Sequence, residues 1–252
     1  MKKNRSADLL PFGVLLLSAG SFALRKALYT VALDEKNLLL RGHPLALCLW
    51  LCTGVAVLVS LAAARQGYKV KHYAANFESS LLSALGHILA ASGILLTMLM
   101  NPAPEQGVIG KLWKVSGIIS CLGLYWAAFS RARGERPFFG CYGLLSVFFA
   151  LHLVANYQTW CSDPQLQNYV FAFLGSLSLM LFSYHQAAFC VDTGSSFLLR
   201  LTGLLAVCFC VTGLAHGVFP YLYGGCALWS FTGLSRLCPR RERKAGDSNG
   251  PA

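Results

Sequence analysis

The sequence predicts an all-α fold, a polytopic transmembrane helix bundle of about eight spans with both termini cytoplasmic. Three observations predict it. Apolar stretches of roughly twenty residues recur from Leu9 to Leu237, the length a helix needs to cross hydrocarbon while bonding its own peptide groups. Composition agrees: 56% hydrophobic residues, 12% charged residues and a mean hydropathy of +0.54 leave too little polar surface to coat a soluble chain of 252 residues. The gaps between the stretches are short and unevenly basic, which orients the spans.

The first span is placed at Asp8–Leu24, and two readings fit it. A basic start, the apolar run Leu9–Ala23 and small residues at Ser21 and Ala23 have the form of a signal peptide. Cleavage there would leave seven spans and an external N-terminus. The apolar continuation Ala27–Leu33 argues instead for a long tilted helix. The second and third spans are placed at His43–Ala64 and Ser80–Met100, the latter stopped by Asn101-Pro102-Ala103-Pro104, whose prolines remove backbone donors. Leu112–Ser130 and Phe138–Tyr157 follow, separated by the charged break Gly134-Glu135-Arg136-Pro137. Ser162-Asp163-Pro164 precedes the sixth span, Leu166–Cys190, and Ser196–His216 and Val218–Leu237 complete the set. Residues 1–237 thus form the bundle, and 238–252 form a basic tail expected to be disordered.

With the N-terminus inside, the inner flanks collect Lys2, Lys3, Arg5, Arg65, Lys69, Lys71, Arg131, Arg133, Arg136, Arg200, Arg236, Arg240, Arg241, Arg243 and Lys244. The outer flanks hold only Arg25, Lys26, Lys36, Arg41, Lys111 and Lys114, so the positive-inside rule favours this orientation. In a soluble protein a net charge of +11 would point to nucleic acid; here it reads as topology beside anionic headgroups, and no nucleic-acid partner is expected. The Arg240–Lys244 run either stops the last helix or binds anionic lipid, at about 1 kcal/mol per basic residue. Arg25 and Lys26 are expected to snorkel to headgroups or to pair with Asp34 or Glu35.

Of the ten cysteines, only Cys161 falls in an outer loop, and none forms a C-x-x-C pair. They read as small packing residues, without disulfide, metal or cofactor. Gly86-x-x-x-Ala90 and Gly213-x-x-x-Gly217 read as close helix contacts within the bundle. No internal repeat of the kind found in secondary transporters is present.

The stretch Phe138–Leu199 contains no lysine or arginine and holds the densest polar and aromatic cluster. His152 and Asn156 lie one helical turn apart on one face, able to point into the bundle or toward an outward cavity. Tyr157, Trp160 and Asp163 follow at the outer interface, where aromatic rings are stable and Asp163 can cap the sixth helix. His216, between the last two spans, completes the candidate ligand site. The plainer reading makes these residues interface anchors and a cap. His87 and His185 lie toward the inner side, too far from His152 and His216 for a proton relay without an acid at mid-depth, so each histidine is expected to hydrogen-bond a neighbouring helix.

Asp34-Glu35-Lys36-Asn37-Leu38-Leu39-Leu40-Arg41-Gly42-His43-Pro44, and the segments Tyr157–Tyr169 and Tyr184–Phe189, resemble a group of uncharacterised eight-helix bacterial integral membrane proteins with no known activity. The resemblance implies the topology and no function. The chain departs from the pattern at Asp192-Thr193-Gly194-Ser195-Ser196, where paired basic residues are expected.

Two functional classes follow. The first is a multi-pass cell-membrane protein that binds or transports a small solute through an outward-facing polar pocket between the fifth, sixth and eighth helices. The second is a non-catalytic scaffold or assembly partner of another membrane protein. An enzyme is not expected, since no Ser/His or H-E-x-x-H arrangement supplies a nucleophile and base at matched depth.

Overall fold

The computed structural model describes residues 5–32, 43–65, 73, 77, 79–100, 107–161 and 166–234. Among these residues eight α-helices run α1 Arg5–Val31, α2 Pro44–Arg65, α3 Leu81–Met100, α4 Gly107–Arg133, α5 Phe139–Trp160, α6 Val170–Cys190, α7 Ser196–Gly213 and α8 Pro220–Leu234, with single 3-10 turns at Leu166–Tyr169 and Leu214–His216. The first helix passes unbroken through Ser21 and Ala23 and reaches Val31, the long form of the first span. Seven helices are long and apolar enough to cross a membrane. The eighth, at 15 residues, spans about 22 Å over its described length, against a hydrocarbon core of about 30 Å. Asp163 and the 238–252 tail lie outside the described residues, as do Asp34 and Glu35.

Helices α3 to α8 form a closed cycle of packed neighbours, each touching the next and α8 returning to α3. The α1–α2 hairpin lies outside this cycle against α7. We call the end of the bundle that carries Arg65, Arg133 and Ser196 the basic end, and the opposite end, with Val31, Trp160 and Pro220, the aromatic end.

Small residues set the tightest seam, between α3 and α8. A Cβ on Gly86 would overlap the Thr232 hydroxyl, one on Gly93 the Tyr221 carbonyl, and one on Gly225 would sit 2.5 Å from the Leu89 carbonyl. Gly86-x-x-x-Ala90 is therefore an intramolecular contact. Gly213-x-x-x-Gly217 is not one: a Cβ on Gly213 has nothing closer than 3.9 Å, and Gly217 adopts φ 74° to end the 3-10 turn after α7.

Hydroxyls in the apolar helices bond the carbonyl one turn back, as in Ser18 to Val14 (2.6 Å), Ser60 to Ala56 (2.7 Å) and Thr97 to Gly93 (2.8 Å). These local bonds let a polar residue face a neighbouring helix without an unpaired group in hydrocarbon. The described cysteines are all free thiols, and the Cys121 sulfur sits 3.4 Å from the Ala91 carbonyl across α3 and α4.

Candidate functional site

On α5, His152, Asn156 and Trp160 follow one another at intervals of four residues and share one buried face. The Asn156 amide nitrogen donates to the His152 carbonyl at 2.7 Å and to its Nδ1 at 3.1 Å. Because Nδ1 accepts, the imidazole proton sits on Nε2, which points to the Tyr223 hydroxyl of α8 at 3.4 Å. Tyr223 in turn donates to the Ala172 carbonyl of α6 at 3.1 Å and accepts from Ser176 at 2.9 Å. One histidine thereby ties α5, α6 and α8 together while remaining neutral. The helices are those expected around the site, but His152 is fully buried and its edge packs on Phe219, so the arrangement is closed.

His87 on α3 has the opposite tautomer. Its Nδ1 lies 2.6 Å from the Ser83 carbonyl, which can only accept, so Nε2 accepts from the Tyr142 hydroxyl of α5 at 2.9 Å. Both buried histidines are thus fixed by a neighbouring helix.

The interior between the histidines is aromatic and incompletely bonded. Trp113 of α4 lies against His152 with ring centroids 5.8 Å apart, and Trp229 of α8 lies 5.7 Å from His87 and stacks on Tyr142. Both indoles are buried, and neither Nε1–H has an acceptor among the described residues; the same holds for the Ser120 and Ser230 hydroxyls. A buried donor left without an acceptor costs about 1–3 kcal/mol, so four of them, two on α4 and two on α8, are a substantial deficit. Among the described residues, no carboxylate enters this interior.

At the aromatic end the remaining candidate residues separate. Trp160 is buried and stacks on Tyr169 at 5.3 Å, and Tyr169 meets His216 edge-on at 5.4 Å. His216 also stacks on Tyr29 of α1 at 5.1 Å. These rings form a half-buried rim above the His152 face. Tyr157 does not join them; its side chain points out of the bundle, 52% exposed.

Beneath the rim lies Arg25, whose side chain turns into the bundle and does not snorkel outward. It is 2% exposed. Its guanidinium donates to the Thr212 carbonyl at the end of α7 (3.0 Å), to the Tyr29 hydroxyl (3.2 Å) and to the Asn168 carbonyl, and it stacks over the Phe171 ring at 4.6 Å. Carbonyls at a helix C-terminus are the negative end of its dipole, which is why a cation without a carboxylate partner is stable there.

The sequence placed His152, Asn156, Trp160 and His216 in one region, and the fold keeps them there. Tyr223, Ser176, Trp113 and Trp229 were missed because they come from other helices. Trp229 carried a usable signal: it lies in mid-helix, away from the interfaces where membrane indoles concentrate.

These features define a multi-pass helical membrane protein with a polar, aromatic interior. The chain matches no family model, no curated protein and no solved structure.

Proposed function

We propose that the protein binds, and carries across the cell membrane, a small acceptor-rich solute that enters at the aromatic end between α5, α6 and α8. The observation that carries this reading is the set of buried, unaccepted donors on Trp113, Ser120, Trp229 and Ser230 beside two neutral histidines. A solute rich in carbonyl, hydroxyl or carboxylate oxygens would satisfy them, and the surrounding rings would provide the apolar walls typical of small-molecule sites. The half-buried rim of Tyr29, Tyr169 and His216 is the gate on this reading. The absence of a buried acid among the described residues argues against a cationic cargo. The excess of basic residues at the other end supports an aromatic end facing outside, both termini in the cytoplasm and α8 as an eighth crossing.

The experiment is thermal unfolding of the detergent-purified protein against sugars, nucleosides, amino acids, short carboxylates and peptides. A solute bound by the folded state raises the unfolding temperature. A concentration-dependent rise with an acceptor-rich compound, lost in His152→Ala, is the expected result. Should no solute shift the midpoint while a membrane protein co-purifies, the scaffold reading replaces this one.

A further inference from the structure

Two arginines are buried in this bundle, one at each end, and their surroundings differ in kind. Arg25, at the aromatic end, is held by two carbonyls and a hydroxyl and stands as a structural staple. Arg131, in the last turn of α4 at the basic end, is 4% exposed and far less well served. Its Nη1 donates to the Tyr73 hydroxyl at 3.2 Å, and its Cζ lies 4.3 Å from the centre of the Phe77 ring. Its Nε is buried with no acceptor among the described residues.

A second guanidinium lies close by. Arg136, in the turn between α4 and α5, has its Cζ 6.0 Å from the Tyr73 ring, and that of Arg131 lies 5.8 Å from the same ring. Asp192, in the α6–α7 turn, binds Arg136 at 3.0 Å through one oxygen and accepts the Tyr73 backbone N–H at 2.8 Å through the other. Asp192 holds φ 58°, a left-handed conformation unusual outside glycine, and this aims its carboxylate at both partners. Burial pushes the Tyr73 phenol up, opposed by the Arg131 guanidinium, so Tyr73 stays a neutral hydroxyl. Among the described residues the cluster thus holds two guanidiniums and one carboxylate, with an unused donor on the buried fork of Arg131.

We propose that Arg131 and Arg136, gathered around Tyr73 at the basic end of the bundle, form a binding site for a phosphate group. Guanidinium forks match phosphate oxygens in charge and spacing, and a buried arginine strengthens that match by excluding competing water. Asp192 and Tyr73 orient the forks, and Phe77 closes the inner side against the ring of Phe189. The site lies at the end of α4, whose last turn carries Arg131 and Arg133, the position where a membrane-spanning helix meets the headgroup layer. A phosphodiester or phosphomonoester headgroup reaches it from the bilayer, and inorganic phosphate reaches it from solution.

The test uses the full chain in nanodiscs of phosphatidylcholine, of phosphatidylcholine with phosphatidylglycerol, and of phosphatidylcholine with phosphatidic acid, each with and without millimolar inorganic phosphate. Retained lipid is counted by native mass spectrometry after detergent exchange, and unfolding temperature is read in parallel. A headgroup source gives retained anionic lipid and a higher unfolding temperature in the anionic discs. A free-anion source gives a rise with inorganic phosphate in pure phosphatidylcholine. Either effect should weaken at least tenfold in affinity in Arg136→Gln, a half-exposed turn position that leaves the helices intact, and in Arg131→Lys, which keeps the charge and removes the fork. Equal lipid retention and equal phosphate response in wild type and Arg136→Gln would overturn the proposal, as would no response in any disc.

Discussion

At the residue scale the two buried arginines show how a bundle places a cation. In α1 the buried positions run Val14, Ser18, Ser21, Arg25, Leu28; in α4 they run Trp113, Gly117, Ser120, Leu124, Ala127, Arg131. Steps of four and three residues define one helix face, and in each case an arginine continues the face that packs inward. That periodicity was available in the sequence. Counting Arg25 and Arg131 only as flanking charges hid it, because charge near a helix end also fits the snorkelling side chain that Arg25 turned out not to be. Arg25→Gln is expected to lower stability by about 2–3 kcal/mol, since charged hydrogen bonds to the Thr212 and Asn168 carbonyls are lost. Chemical or thermal unfolding of the variant checks this; a midpoint equal to wild type would mean the guanidinium contributes nothing net. The His152–Asn156 pair was legible for a simpler reason: both residues sit on one helix, so spacing alone fixes their contact. Tyr223, 71 residues away from His152, could not be paired with it by spacing.

At the element scale, hydropathy and proline breaks located most of the helices, because the bilayer imposes their length and the peptide group imposes their form, but α1 runs on past Leu24 to Val31 and α4 begins at Gly107, ahead of Leu112. What hydropathy could not supply was the choice of neighbours. The α3–α8 seam depends on Gly86, Gly93 and Gly225, of which only Gly86 stood in a recognised spacing. Gly93→Leu should break that seam, because the side chain would meet the Tyr221 backbone and not a flexible group, and overpacking of this kind costs about 1–3 kcal/mol or more. Gly213→Ala should be close to neutral, its nearest neighbours being at 3.9 Å. Paired unfolding curves of the two variants test the seam; equal losses would show that close contact at Gly93 is not what sets the cost, since both substitutions raise helix propensity. The turn at Asp192 carries the ion pair to Arg136 and the bond to Tyr73. A segment read only as a missing basic pair thus joins three connections at the basic end.

At the scale of the whole molecule, a six-helix cycle with a polar aromatic interior carries a peripheral hairpin, α1–α2, on α7. Orientation in the membrane is accessible through a native thiol. Cys161 ends α5 at the aromatic end and is exposed, whereas most of the other described cysteines are buried or half-buried. In intact cells a membrane-impermeant maleimide should label the protein and fail to label Cys161→Ser; labelling only after the cells are opened would reverse the proposed orientation. The central claim concerns the donors inside the cycle, and Trp113→Phe addresses it most directly, since it keeps an aromatic ring against His152 while removing the unaccepted N–H together with the smaller ring of the indole. The decisive measurement is the dissociation constant of the stabilising solute for wild type and Trp113→Phe, with unfolding temperatures of both in its absence. The account predicts affinity weakened by about tenfold, the worth of one buried hydrogen bond, with the solute-free protein losing no more than the ~1–3 kcal/mol that the void left by the smaller ring costs, since no hydrogen bond within the fold is broken. Unchanged affinity together with unchanged stability would contradict it, because the indole donor would then serve neither the solute nor the fold.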